Sequence, residues 1–185
     1  MNRLSCEQGA AALQAGEIIA YPTEGVMGLG CDPCNEAAVM RLLALKRRPI
    51  EKGLILVGAD LEQLRPLMDA SRIEADHWAR LSAGWPGPVT FVVPASERVP
   101  AWIRGRFVSV ALRASAHPVV QRLCREFGGP IVSTSANLSG EAPARACDEL
   151  SPELLQHLAG CVAGAIGDLQ GPTPIIDVLT GRTLR

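Results

Sequence analysis

The sequence predicts a mixed α/β domain, and three observations carry that expectation. Short apolar and β-branched runs alternate with amphipathic helical stretches along the whole chain. Strands and helices intermingle instead of segregating, so the class is α/β or α+β around a twisted mixed sheet. Hydrophobic residues make up 48% and charged residues 20% of 185 residues, which suits one core and a single domain over residues 1–185.

The elements follow in order. Ser5 and Gln8 fit a capping box before a helix from Cys6 to Ala15, and Gly16 supplies its stop. Residues 17–21 read as a strand ending at Pro22, and 23–32, with three glycines, as a loop or short strand. Asn35 is a candidate N-cap for a helix over 36–47, with Ala37, Met40, Leu43 and Ala44 on its apolar stripe and Pro49 ending it. A buried-strand run at 53–57 precedes helices near 60–68 and 72–82. Strands are expected at 89–93 and 108–112, an amphipathic helix at 117–126 closing on Gly128-Gly129, and a strand at 131–135. A helical stretch from about 145 to 160 and two strands around Thr180-Gly181 complete the pattern.

Composition removes several function classes. Net charge is −1, so the molecule is not a polycation that coats nucleic acid indiscriminately. No apolar run approaches the roughly 20 residues of a membrane span. The longest uncharged C-terminal run, 154–167, includes Gln156 and His157. The start, MNRLSCEQG, lacks an apolar core of the kind that directs export. The expectation is a soluble, cytoplasmic protein.

Charge is nonetheless uneven. Residues 41–52 hold five basic residues against Glu51, and 98–125 hold six arginines with no acid. Sixteen of the eighteen basic residues are Arg, the side chain suited to forked contacts with phosphate and carboxylate.

The six cysteines, at 6, 31, 34, 124, 147 and 161, are too sparse for a disulfide scaffold, and Cys31-Asp-Pro-Cys34 has no second pair to complete a zinc site. All six are expected as free thiols. The chain has no GxxxxGK[ST] loop, no GxGxxG after a strand, no HExxH and no GxSxG. His77, His117 and His157 fall within or at the start of helices and read as solvated or helix-terminal residues rather than catalytic bases.

Two segments stand out. Leu45-Lys-Arg-Arg-Pro49, with Lys52 following, puts cations at a helix C-terminus, where they complement its dipole. The same residues, stopped by a proline beside a buried strand, form a rigid cationic corner able to grip a triphosphate. Val132-Ser-Thr-Ser-Ala-Asn137 is either a plain turn or a set of neutral donors at a strand's C-terminal edge, where α/β sheets commonly bind ligands.

Together with Tyr21-Pro-Thr-Glu24, Trp85-Pro-Gly-Pro-Val-Thr90, Ala111-Leu-Arg113 and Ser133-Thr-Ser-Ala-Asn-Leu-Ser-Gly140, in that order, the chain resembles the YrdC/TsaC family from about Ile18 to Arg185. The resemblance implies a sheet around a large concave, positively charged cavity. It implies synthesis of L-threonylcarbamoyl-adenylate and pyrophosphate from L-threonine, bicarbonate or CO2, and ATP with Mg²⁺, and no protein-bound metal. The product would serve threonylcarbamoyladenosine modification of tRNAs reading codons that begin with A, with tRNA met directly or through a downstream transfer complex, and no membrane. By the same resemblance Lys46, Arg48, Ser135 and Asn137 form the catalytic KxR/SxN set, and Lys46, Arg48, Lys52, Ser109, Ser135, Asn137 and Arg185 hold ATP. Thr23, Arg113, Ser133 and Thr173 would hold threonine, with Arg113 on its carboxylate.

Departures from the pattern carry expectations of their own. Gly25, where the family often has Thr or Ala, implies a looser threonine-side loop. Thr173-Pro174 stands in place of a Ser-Thr or Ser-Glu pair, and the terminal Arg185 is expected to be mobile. With no second C-terminal domain of the kind longer relatives carry, any lid must come from elsewhere. Two other functions compete: an RNA-binding module using the two basic segments, and a carbamoyl-adenylating activity like that of the YrdC-like domain in hydrogenase-maturation proteins.

Overall fold

The computed structural model describes residues 2–138 and 140–185. Among them nine strands form one mixed sheet: β1 (Arg3–Leu4), β2 (Ile19–Pro22), β3 (Met27–Gly30), β4 (Ile55–Gly58), β5 (Thr90–Pro94), β6 (Ser109–Ala114), β7 (Ile131–Ser135), β8 (Gly160–Val162) and β9 (Ile175–Asp177). Their order is β1-β8-β2-β3-β7-β4-β6-β5-β9. The helices are α1 (Cys6–Gln14), α2 (Glu36–Leu45), α3 (Leu61–Leu64), α4 (Ala75–Gly84), α5 (Ala101–Arg104), α6 (Pro118–Phe127) and α7 (Pro152–Leu155).

Local signals act where the sequence puts them. Ser5 Oγ accepts from Gln8 N and Gln8 returns its side chain to Ser5 N, closing the capping box of α1. Asn35 caps α2 through Ala38 N. Gly128, at φ +90°, ends α6 in the left-handed conformation that glycine adopts without a Cβ clash.

Strand alternation then divides the side chains between two faces. Ala20, Leu29, Leu56, Leu112 and Val132 pack into the larger core on one side. Ile19, Tyr21, Val57 and Ile131 point the other way, under α1 and α6. β7 is the pivot: Ser133 pairs with Ile55 of β4, and Ser135 pairs with Gly28 of β3, both antiparallel. On the α1/α6 face the parity that buries Ile131 next presents Ser133 and Ser135. In β6 the same parity presents Ser109, Ala111 and Arg113, beyond the helices' cover. That uncovered part of the face is the cavity.

Three expectations change. The helix over 145–160 breaks into a 3₁₀ turn at Cys147–Glu149, the short α7 and the strand β8. Pro152 cannot continue a helix from the residues before it, and Gly160 and Cys161 pair with Ile19 and Ala20 instead. Of the two strands expected around Thr180-Gly181 only β9 forms, with Thr183 making a single bridge to Ile176, whereas the short-strand alternative for 23–32 forms as β3, the partner of β2. Two cysteines are not free: β8 brings Cys161 beside the 3₁₀ turn, and Cys147 and Cys161 form a disulfide with Cα atoms 6.2 Å apart. Cys6, Cys31, Cys34 and Cys124 are free thiols. Burial pushes the Cys124 thiol up to about 12, as expected of an inert core thiol.

Candidate active site

The cavity encloses about 530 Å³, the size range of small-molecule sites. At one end stands the corner that follows α2. Lys46 caps the helix, and Arg47 takes φ +48°, a left-handed turn usually left to glycine. That reversal separates the three cations. Arg47 faces away from the cavity, 3.9 Å from Glu153. Arg48 lines the cavity, held by Gly53 O, which accepts from its Nη2 at 2.8 Å and its Nε at 3.2 Å.

Lys46 turns under the wall. Its ammonium donates to Ser135 O at 2.7 Å, Asn137 O at 2.5 Å and Asn137 Oδ1 at 2.8 Å. Ser135 Oγ donates to the same Oδ1 at 2.6 Å, and Asn137 Nδ2 donates to Leu138 O and Glu141 O. Lys46 and Asn137 therefore form the scaffold of the β7 terminus and are absent from the cavity lining, whereas Ser135 is part of it. Burial, reinforced by the Arg48 charge, lowers the Lys46 ammonium to about 8.

The other end is built around Arg113, which is 6% exposed. Its Nη1 donates to Thr173 Oγ1 at 3.2 Å and its Nη2 to Ser133 Oγ at 3.5 Å. Glu24 Oε2 lies 3.6 Å from Nη2. Thr173 is itself held by Thr90 through a buried hydroxyl pair at 2.9 Å. The segment around Thr173 lies against the Thr23 loop, since Thr23 O accepts from Gly167 N and Glu24 O from Leu169 N, both at 2.9 Å.

Gly25 does the reverse of loosening that loop. A Cβ there would sit 2.5 Å from Gly171 O and 2.7 Å from Leu169 O, so the missing side chain is what permits the close approach. Arg185, expected to be mobile, makes two hydrogen bonds to the segment leading into β9. Its Nη2 donates to Thr173 O at 3.1 Å, and its carbonyl accepts from Ile175 N at 3.0 Å.

The lining carries Arg48, Lys52, Arg104, Arg113 and Arg185 against the acid Asp177. Burial lowers the Arg48 pKa, with Arg185 adding repulsion, and burial lowers that of Arg185, with Arg113 adding repulsion. Of the residues singled out in the sequence, Thr23, Arg48, Lys52, Ser109, Arg113, Ser133, Ser135, Thr173 and Arg185 all line the cavity. Two supporting residues escaped sequence reasoning. Glu24 and Thr90 lie in the quoted PTE and WPGPxT motifs, but only the fold reveals what each one touches.

The cavity carries a guanidinium at each end and is floored by serine and threonine hydroxyls, the groups that suit phosphate and carboxylate oxygens. Among the described residues no group of three His, Cys, Asp or Glu gathers to hold a metal ion, and no helix is long and apolar enough to cross a membrane. The family model Sua5_yciO_yrdC, described as "Telomere recombination", matches residues 11–185, and the chain belongs to this Sua5/YciO/YrdC family.

A relative named threonylcarbamoyl-AMP synthase, from Stenotrophomonas maltophilia (strain K279a), is 51% identical over 185 residues, covering 100% of both chains. The crystal structure of P. abyssi Sua5 complexed with L-threonine matches with TM-score 0.88 and 30% identity. The match covers 98% of this chain and 54% of that one, so this chain spans about half of the longer protein. E. coli YciO matches with TM-score 0.81 over 93% of this chain and 82% of its own, at 24% identity, a likeness of fold.

Proposed function

We propose that this chain is a threonylcarbamoyl-AMP synthase, with residues 1–185 acting as one catalytic domain. The observation that carries the reading is the cavity itself, a carboxylate-type arginine site at one end and a phosphate-type cationic corner at the other. The relative named for this activity over the full length of the chain and the L-threonine complex of P. abyssi Sua5 support it.

In this reading Arg113, with Ser133, Thr173 and Thr23 around it, takes the carboxylate and hydroxyl of L-threonine. Guanidinium supplies a planar pair of donors, which fixes orientation as well as charge. The threonine amine, in its neutral form, adds to CO2 derived from bicarbonate, releasing one proton and leaving a carbamate. A carbamate oxygen then attacks the α-phosphorus of ATP; the bond to the β-phosphate oxygen breaks and pyrophosphate leaves with the electron pair. Arg48, Lys52, Arg185 and the Ser135 hydroxyl hold the phosphates and balance charge on the departing pyrophosphate. Ser109 contacts the nucleotide, and Lys46 and Asn137 fix the Ser135 edge.

The protein's work is alignment and neutralisation, so no side-chain nucleophile is required. Bound to ATP, Mg²⁺ would supply shielding of the phosphate charge, beside Arg48, Lys52 and Arg185. The cationic and hydroxyl lining suits a nucleotide that carries its own metal. The adenylate would pass to a tRNA-modifying transfer system in the cytoplasm, and tRNA would meet it there or at this protein.

The test is pyrophosphate release from Mg-ATP by the purified protein, with threonine and bicarbonate added singly and together. Release that requires both establishes the synthase. Nucleotide binding with release only on adding carbamoyl phosphate would move the assignment to the carbamoyl-adenylating reaction. RNA binding without nucleotide binding would leave a non-catalytic module.

A further inference from the structure

Glu24 is a buried carboxylate with no role in the steps above. It is 8% exposed, and its two oxygens are treated differently. Oε1 accepts a 2.6 Å hydrogen bond from Ser115 Oγ, and that hydroxyl accepts in turn from His117 N at 3.0 Å. Oε2 has no hydrogen bond and faces Arg113 Nη2 at 3.6 Å. Arg113 Nε likewise has no partner.

We propose that Glu24 is the positioning residue that aims Arg113 at the substrate carboxylate. Ser115, at the end of β6, fixes one oxygen, so the other presents a stationary negative charge behind the guanidinium. Thr173 and Ser133 steady the fork from the sides, at 3.2 and 3.5 Å. Because the contact to Glu24 is an ion pair longer than a hydrogen bond, it sets the direction of the fork without consuming the donors that a carboxylate needs. The loop cannot drift, since Thr23 O and Glu24 O are both tied to backbone amides of residues 167–169. Glu24 is absent from the cavity lining, whereas its neighbour Thr23 is part of it, so the carboxylate acts through Arg113.

This inference rests on the reading that Arg113 binds threonine's carboxylate, and one set of variants separates the two. L-Threonine binding is measured by calorimetry and pyrophosphate release by steady-state kinetics, for Glu24→Gln, Ser115→Ala, Arg113→Lys and the double variant Glu24→Gln/Arg113→Lys. A misaimed fork is expected to raise the threonine Kd and KM about 10- to 100-fold in Glu24→Gln, with the KM for ATP within twofold of the parent. Ser115→Ala, which leaves both charges in place and is the second variant to read should Glu24→Gln fail to fold, should raise the threonine KM about fivefold. Glu24→Gln should add less than threefold to Arg113→Lys, because both act on one contact. Equal losses toward threonine and ATP, or a full additional loss in the double variant, would overturn the positioning role and leave Glu24 a structural counter-charge. If Arg113→Lys binds threonine normally, the threonine-site reading itself fails.

Discussion

Replacing Lys46 by Met tests whether the β7 terminus is scaffolded from below. Three acceptors lose the ammonium as a donor: Ser135 O, which keeps Asn137 N, Asn137 Oδ1, which keeps Ser135 Oγ, and Asn137 O. Each hydrogen bond to a charged group is worth about 1.5–3 kcal/mol, and adjacent bonds do not add fully, so a loss of about 4 kcal/mol is a fair sum. The substitution also removes a buried cation. A pKa lowered from 10.5 to about 8 corresponds to roughly 3 kcal/mol of unfavourable burial. These bonds are only part-buried, and solvent screening reduces that relief to about 1–2 kcal/mol.

The hydrogen bonds win. Lys46→Met should lower unfolding free energy by about 2–3 kcal/mol at pH 7 in urea titration. ATP affinity should fall about tenfold even though Lys46 does not line the cavity, because Ser135 loses its fixed position. The pH dependence has a definite sign. Below about 8 the ammonium is charged in both the folded and the unfolded chain, and the burial penalty is complete. Between about 8 and 10.5 the unfolded chain binds more protons, so this group makes stability rise with pH. Lys46→Met should lack that rise. Parent-like stability together with parent-like ATP affinity would refute the scaffold role.

Further outcomes are expected elsewhere. Thr90→Val removes the hydroxyl that holds Thr173 Oγ1 at 2.9 Å, and threonine titration should show affinity about fivefold weaker with ATP affinity unchanged. Arg47→Gly should raise stability by about 0.5–1 kcal/mol, since the left-handed φ of +48° penalises a side chain and the lost 3.9 Å pair to Glu153 is exposed; a lower Tm would contradict it. Reducing Cys147–Cys161, a cross-link over 14 residues, should cost about 3 kcal/mol, read from thermal unfolding with and without reductant. Gly25→Ala should cost about 1–3 kcal/mol, because its Cβ meets backbone carbonyl oxygens rather than a yielding side chain, and chemical denaturation measures it directly.

Much was legible before any coordinates. The capping residues of α1 and α2, the strand at Ile131–Ser135 and the end of α6 at Gly128 follow from hydrogen-bonding and φ preferences that act within a few residues. The motifs marked the cavity well, because residue types that grip phosphate or carboxylate are few and their order along the chain is specific. The helix expected over 145–160 failed because β8 takes its hydrogen bonds from Arg3–Leu4 and Ile19–Ala20, distant partners that no local pattern encodes. The Cys147–Cys161 bond has the same origin.

The division inside the site is similarly physical. Local pattern suffices to place Lys46, Arg47 and Arg48 as adjacent cations at a helix end, and Ser133, Ser135 and Asn137 at the end of a buried strand. Where each side chain points depends on packing between distant segments. One left-handed residue sends Arg47 outward, strand parity faces Ser133 and Ser135 to the cavity, and the ammonium of Lys46 is used up on three oxygens of the 135–137 turn. Glu24 and Thr90 were ordinary letters of two motifs until the sheet brought β5, β6 and the segment leading to β9 together around Arg113. A positioning contact spans 83 or 91 residues of chain, and its distance is set only when the strands assemble.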